Sequence, residues 1–363
     1  MPVTTRVFNF SSGPAVLPVP VLEQAQRDLV ALPGVGMSIL EVSHRSAPFE
    51  AIVRKTDADI RRLAGVPSNY RILFLQGGAS TQFSMAPMNL LTEGSTADYL
   101  VTGSWSQKAV KEARKVGNVH VAASTEGDNF NRIPSSAEWT LTPGAAYVHI
   151  TSNNTIEGTQ WKSLPETGDV PLVSDASSDI FSAPIDVARF GLIYAGAQKN
   201  LGPAGVTLAV MREDLLARSA KSLPTMMNYA VHAENGSLYN TPPVFAIYIV
   251  GLVAEWLIAQ GGLPAVAAVN ERKAARLYAE LDRTGFWRPT ARKDSRSLMN
   301  VTFRLGSEDL EKKFVKEATA EGLDGLKGHR SVGGMRASIY NAFPEEGVDA
   351  LISFMREFER RNG

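Results

Sequence analysis

The chain has 363 residues, 44% of them hydrophobic and 20% charged, and Lys plus Arg equals Asp plus Glu at 37 each. This is a globular composition, long enough for two or three domains, or for one large and one small. Its neutral balance gives no reason to expect nucleic acid or an anionic membrane surface as partner. Cysteine is absent, which excludes disulfides, zinc–thiolate sites and thiol nucleophiles; no metal site is expected.

The opening stretch "MPVTTRVFNFSSGPAVLP" has no apolar signal core. In "PFEAIVRKTDADIRRLAGV", Phe49, Ile52, Val53, Ile60 and Leu63 share one helical face. From there, short apolar, β-branched runs read as buried strands: "YRILFLQ", "ADYLVTG", "NVHVAAS", "AAYVHIT", "VPLVSDA", "FGLIYAG" and "VTLAVMR". Helical patterns alternate with several of them, which predicts a mostly parallel sheet covered on both faces. "VFAIYIVGLVAEWLIA" is short for a membrane span and holds Glu255; the cytoplasm is the expected location. After about Gly261 a long helix, "LMNVTFRL", a helix from Ser307, a strand near "MRASIYN" and a last helix opening at Pro344 predict a smaller α+β unit.

Five features along this order invite chemistry. "LQGGASTQFSM" runs from a strand through glycines into a helix, where free N–H groups near Ala79 and Ser80 suit a phosphate; a plain tight turn is the other reading. In "SWSQKAVKEARKV", Ser104 is placed to cap a helix that carries Trp105. An indole there stacks on a planar ring or packs in the core. Asp175 ends the strand of "PLVSDASSD", either as a helix cap or as a buried acid awaiting a cation. Lys199, in "AGAQKNLGPAG", sits among small residues just past the next strand. The carboxyl ends of strands in open α/β sheets are where ligands bind. A confined lysine there loses its proton easily and attacks carbonyls, and a surface turn is the competing reading. An Asp–pyridinium and Lys–Schiff base pair is the usual mark of pyridoxal phosphate sites. The fifth feature is cationic: His44–Arg45, His329–Arg330 and Arg336, next to glycine or serine. Arginine grips carboxylate and phosphate by two parallel hydrogen bonds, so these residues suit a doubly anionic substrate, or are isolated surface charges. His120, His149 and His232 are read as packing or surface residues.

Together these segments resemble the phosphoserine aminotransferase family, class V aminotransferases of the aspartate-aminotransferase fold. "FNFSSGPAVLP", "EVSHR", "NYRILFLQGGASTQF", "TGSWS", "NNTIEGTQ", "SDASSDIFSAPID", "YAGAQKNLGPAGVT", "YNTPPVFAIY" and "GHRSVGGMRASIYNA" follow the family's order nearly end to end. The resemblance implies an α/β fold with a large domain over residues 16–260, built on a mostly parallel seven-stranded sheet. A small domain would comprise 261–363 with 1–15. It implies pyridoxal 5′-phosphate as cofactor and a homodimer with shared active sites. The implied reaction moves the amino group of L-glutamate to 3-phosphohydroxypyruvate, giving O-phospho-L-serine and 2-oxoglutarate in serine biosynthesis. It also allows the phosphorylated threonine analogue of vitamin B6 synthesis.

Carried over position by position, Lys199 is the Schiff-base lysine, whose freed amine moves the α-proton. Asp175 pairs with the pyridinium nitrogen, Trp105 stacks on the ring, and Thr155 bonds near the ring hydroxyl. Ala79, Ser80 and Gln198 hold the cofactor phosphate, with Asn240 and Thr241 reaching it from the second subunit. Arg336 holds the substrate α-carboxylate. His44 and Arg45 of the second subunit hold the distal anion with His329 and Arg330, and Ser12 lies near the substrate. Some members have an arginine where this chain has Ser80, so the distal anion is expected to have one cationic contact fewer here. A cysteine desulfurase on the same fold is disfavoured because it needs a cysteine. A non-catalytic regulator is disfavoured by the neutral charge and the lack of length for a DNA-binding segment.

Overall fold

The computed structural model describes residues 6–363. All seven apolar runs form strands of one sheet. In spatial order these are Tyr70–Leu75, Thr207–Arg212, Phe190–Gly196, Leu172–Asp175, Val148–Thr151, Thr96–Val101 and Asn118–Ser124. Thr207–Arg212 runs antiparallel to both its neighbours, and the other six strands share one direction. Central strands such as Val148–Thr151 and Leu172–Asp175 are buried at every position. That explains why they read as unbroken apolar runs rather than as an alternating pattern.

The parallel strands all end at one edge of the sheet. Leu75, Val101, Thr151, Asp175 and Gly196 therefore deliver their following loops to a common crevice. One face of the sheet is covered by the helices Ala47–Ala64 and Val244–Ala259, which pack on each other. The second of these is apolar all round because it is enclosed, with nine buried residues including Ile247, Val250 and Leu257. Among the described residues no single helix is long and apolar enough to cross a membrane. Val244–Ala259 and Gly262–Leu281 meet that test only as a pair, bent by 83°. Helices Gly78–Leu90 and Ser104–Ala113 cover the other face.

The C-terminal segments build a second core. A three-stranded antiparallel sheet, in order Arg288–Pro289, Asn300–Arg304 and Met335–Ser338, packs with the helices Glu308–Ala320 and Glu345–Asn362 around Trp287, Phe303, Phe314 and Phe358. Phe10 belongs to this core, and Phe8–Asn9 pairs in parallel with Leu323–Asp324, so this early segment is tied to the C-terminal segments.

A fully buried lysine pins the segment after Met335–Ser338. Lys273 Nζ donates to the carbonyls of Ile339 (3.1 Å), Tyr340 (2.7 Å) and Phe343 (3.1 Å). Lys273→Met removes these three bonds to buried carbonyls, of which that of Tyr340 keeps the Phe343 N–H (2.9 Å), a loss of about 3 kcal/mol that denaturant titration of the variant should register.

Candidate active site

The site grows out of the loops at the sheet's carboxyl edge. After Tyr70–Leu75 the chain turns through Gly77, whose φ of +87° suits glycine and where any side chain would collide with Thr81. The helix Gly78–Leu90 starts there, so the first-turn N–H groups of Gly78, Ala79 and Ser80 have no intrahelical partner. These residues line a cavity of about 360 Å³, whose walls include Ala79, Ser80, Trp105, Thr155, Asp175, Gln198 and Lys199. Seven sequence-selected residues from five separate loops thus meet in one place.

Asp175 lies at the floor, 5% exposed. Its Oδ1 accepts the Ser177 N–H (3.0 Å) and hydroxyl (2.6 Å), so it makes a local turn rather than a helix cap. The same Ser177 hydroxyl accepts the N–H of Gly196, which locks the carboxyl to the neighbouring strand. Among the described residues no cationic side chain is ion-paired with Asp175. Burial pushes its pKa up, opposed by the Ser177 bonds and the field of Lys199. An acid so placed is short of a positively charged donor.

Lys199 supplies the opposite group. Its Nζ donates to Thr155 Oγ1 at 2.7 Å and lies 5.8 Å from the centre of the Trp105 ring. The N-terminal segment closes over it: Gly13 packs against the Lys199 and Gln198 side chains, and the Ala15 N–H donates to the Gln198 carbonyl (2.9 Å). Burial lowers the Lys199 pKa to about 8, with Asp175 pulling it up and Arg336 pushing it further down.

Arg336 is bonded to a wall residue of this cavity and is buried. Its Nη2 donates to Ser12 Oγ (2.6 Å) and its Nη1 to the Thr155 carbonyl (3.3 Å), while its Nε is buried without a partner. Arg336 and His329 line an adjoining cavity of about 710 Å³. His329 is held below its ordinary pKa by partial burial and by Arg336, Lys108 and Arg330 nearby, and its Nδ1 bonds the Ser331 hydroxyl. Arg330 is the exposed neighbour of His329.

Six selected residues line neither cavity: Ser12 and Arg330, which adjoin Arg336 and His329, and the four residues His44, Arg45, Asn240 and Thr241. His44 and Arg45 bond each other at the surface (3.2 Å), and Asn240 and Thr241 sit on an open stretch where the Thr241 carbonyl faces Gln76. One expectation is corrected. Ser104 does not cap its helix: it is the first helical residue after Gly103, and its hydroxyl donates to Glu157, while Ser106 Oγ accepts the N–H groups of Thr102 and Gly103. Reading the sequence also missed Ser177 and Glu157. The serine two places after Asp175 was a legible signal for the first; nothing local marked the second.

The donor set fits pyridoxal phosphate. A buried acid lacks a cation, a lysine of lowered pKa lies across from it, an indole lines the wall, and helix-start N–H groups await an anion. Residues 7–351 match the family described as Aminotransferase class-V. The chain belongs to the class-V aminotransferases. Within them it falls among the phosphoserine aminotransferases. It is 58% identical to the phosphoserine aminotransferase of Desulfatibacillum aliphaticivorans, over 99% of each chain. The solved phosphoserine aminotransferase of Bacillus circulans subsp. alkalophilus superposes with a TM-score of 0.97 at 55% identity, covering 99% of each chain. A PLP-bound phosphoserine aminotransferase from Trichomonas vaginalis gives a TM-score of 0.93 at 38% identity, covering 97% of this chain and 100% of that one.

For a class-V aminotransferase, the lowered pKa of Lys199 has a measurable consequence. The free-amine form grows as pH rises through about 8, and falls about tenfold per unit below it. The rate at which the apoprotein takes up pyridoxal phosphate, followed by absorbance, should rise with pH and level off above about 8. A midpoint near the ordinary lysine value of 10.5 would contradict the burial argument.

Proposed function

We propose that this class-V aminotransferase moves the amino group of L-glutamate to 3-phosphohydroxypyruvate, yielding O-phospho-L-serine and 2-oxoglutarate. The observation that carries the reading is the pairing of the unpartnered buried Asp175 with Lys199 in one cavity, with Arg336 bonded to its wall residue Thr155. When bound, pyridoxal phosphate supplies an aldehyde that exchanges amines and a ring that spreads the charge left when an α-proton departs. Ala79, Ser80 and Gln198 would hold its phosphate, Trp105 its ring face, Thr155 its hydroxyl edge and Asp175 its ring nitrogen.

The protein's own groups then divide the work. Lys199 Nζ, about half free of its proton near pH 8, would hold the group through its amine and would take the proton from the substrate Cα. Thr155 Oγ1 holds that amine in position. Asp175 keeps a proton at the ring nitrogen, because a buried carboxylate is stabilised by the cation it faces. Arg336 grips the α-carboxylate through donors that include its free Nε, and Ser12 fixes the guanidinium plane. His329 and Arg330 flank the adjoining cavity and receive the distal carboxylate or phosphate, both of which are anionic oxygens.

The same reading assigns His44, Arg45, Asn240 and Thr241 to the site of a second copy, in a homodimer with shared active sites. Their surface position, away from their own cavity, is consistent with that. We place the division between large and small domains at 16–260 and 261–363 with 1–15, the location in the cytoplasm, and a side activity on the phosphorylated threonine analogue of vitamin B6 synthesis within this proposal. Residues 1–5 of that N-terminal segment lie outside the described residues.

The test compares keto acids. With L-glutamate as donor, 3-phosphohydroxypyruvate should be aminated with a kcat/KM at least about 100-fold above that for pyruvate, since the distal anion contacts are lost in the smaller substrate. Equal rates with both would remove the phosphate-bearing substrate from the proposal.

A further inference from the structure

Glu157 is a buried carboxyl that no step above uses. It sits two residues after Thr155, and its side chain reaches across to the residue before Trp105. Its Oε1 accepts both the N–H (2.8 Å) and the hydroxyl (2.6 Å) of Ser104, the first residue of the helix Ser104–Ala113. Two bonds to one oxygen at a helix start resemble a cap supplied from a distant segment rather than from the helix itself.

The backbone of Glu157 makes a second connection. Its carbonyl accepts the hydroxyl of Thr302 (3.0 Å), a residue of the C-terminal sheet whose hydroxyl is also bonded to that of Thr290. Thr302 is the cross-strand partner of Arg336. One residue therefore touches the helix that aims Trp105 and the strand pair that carries Arg336, while adjoining the turn that bears Thr155. Gly103 makes room for it: a Cβ there would lie 2.7 Å from Glu157 Oε2 and 2.6 Å from Asn154 Oδ1.

We infer that Glu157 is a positioning residue of this site, whose carboxyl fixes the helix start that aims the Trp105 indole at the cavity and whose carbonyl fixes that start to the strand pair carrying Arg336. Oε2 is buried with no partner, so the tie rests on the Oε1 acceptor and not on a charge shared by two oxygens. Burial pushes the Glu157 pKa up, against the Ser104 bonds and the field of Arg336, which agrees with a role that a neutral side chain can fill. The inference rests on the reading that the indole stacks on the cofactor ring.

The experiment measures the dissociation constant of pyridoxal phosphate from the apoprotein, by quenching of tryptophan emission and by the visible absorption band. Glu157→Ala should weaken cofactor binding about tenfold, the scale of one lost cap, and Glu157→Gln should stay within about twofold of the wild type because it keeps the acceptor. Gly103→Ala, which displaces the carboxyl without touching it chemically, should reproduce the alanine effect. In a Trp105→Phe background, Glu157→Ala should add less than about twofold, because a positioning residue has nothing left to position.

The inference is overturned if Glu157→Ala binds as the wild type does, if glutamine fails as badly as alanine, or if the alanine effect persists in full on top of Trp105→Phe. Should Glu157→Ala not fold, the glutamine and Gly103→Ala variants decide on the same terms. A wild-type protein that binds no cofactor would sink both this inference and the proposed function. Failure of the variants alone sinks only the role of Glu157.

Discussion

Lys199→Ala is expected to lower kcat by at least about 10⁴-fold, because it removes the amine to which the proposed function assigns both the attachment of the cofactor and the movement of the α-proton. The fold should survive. The Lys199 ammonium makes one side-chain hydrogen bond, to Thr155, and burial already disfavours its charge. Circular dichroism of the variant should therefore match the wild type while turnover and the visible band of the lysine-linked cofactor disappear. Lys199→Arg separates charge from chemistry. It restores a cation but not a free amine, so it should be as inactive as alanine. Appreciable turnover in either variant would mean that another amine does the work.

Asp175→Asn is the second large effect, and it should act in opposite directions on activity and on stability. Asparagine can keep the Ser177 bonds, since its carbonyl oxygen accepts them as Oδ1 does. It cannot carry the negative charge that, in the proposed function, would hold a proton on the ring nitrogen. We expect kcat to fall about 10²- to 10³-fold with little change in KM, the pattern of an interaction that matters most as charge develops. The apoprotein should become more stable by about 1 kcal/mol. The sign follows from the raised pKa: a carboxyl harder to ionise in the folded state than in the unfolded state costs stability above its unfolded pKa, and that cost is relieved as pH falls. The gain in the asparagine variant should accordingly be present at neutral pH and shrink towards pH 4. A variant that is both less active and less stable would show that the buried charge is compensated by something other than a bound cation.

Much of this site was legible because the chemistry follows from topology. Strands buried on both faces leave continuous apolar runs, and the residue after each run falls at the carboxyl edge of a parallel sheet. That is why Lys199, Asp175, Trp105 and the Gly77–Ser80 turn could be picked out one by one and then found around a single cavity. The second layer was not legible. Glu157 owes its place to Ser104, Thr302 and Gly103, which are remote in sequence, and nothing in "NNTIEG" announces them. Ser104 illustrates the same limit from the other side. Its position before a helix fits a cap by residue type, yet its hydroxyl serves Glu157, and Ser106 bonds the helix entry instead. His44 and Arg45 show a different gap. Their residue types suit an anion, but a single chain leaves them at the surface, bonded to each other, so their use depends on what a second copy brings.

The central claim is a covalent attachment at one particular amine, and it can be read directly. The protein loaded with pyridoxal phosphate is reduced with borohydride, digested, and its peptides are mapped by mass spectrometry. The cofactor mass should appear on the peptide containing Lys199, at close to one per chain. Recovery of the label on a different lysine, or spread thinly over several surface lysines, would contradict the account.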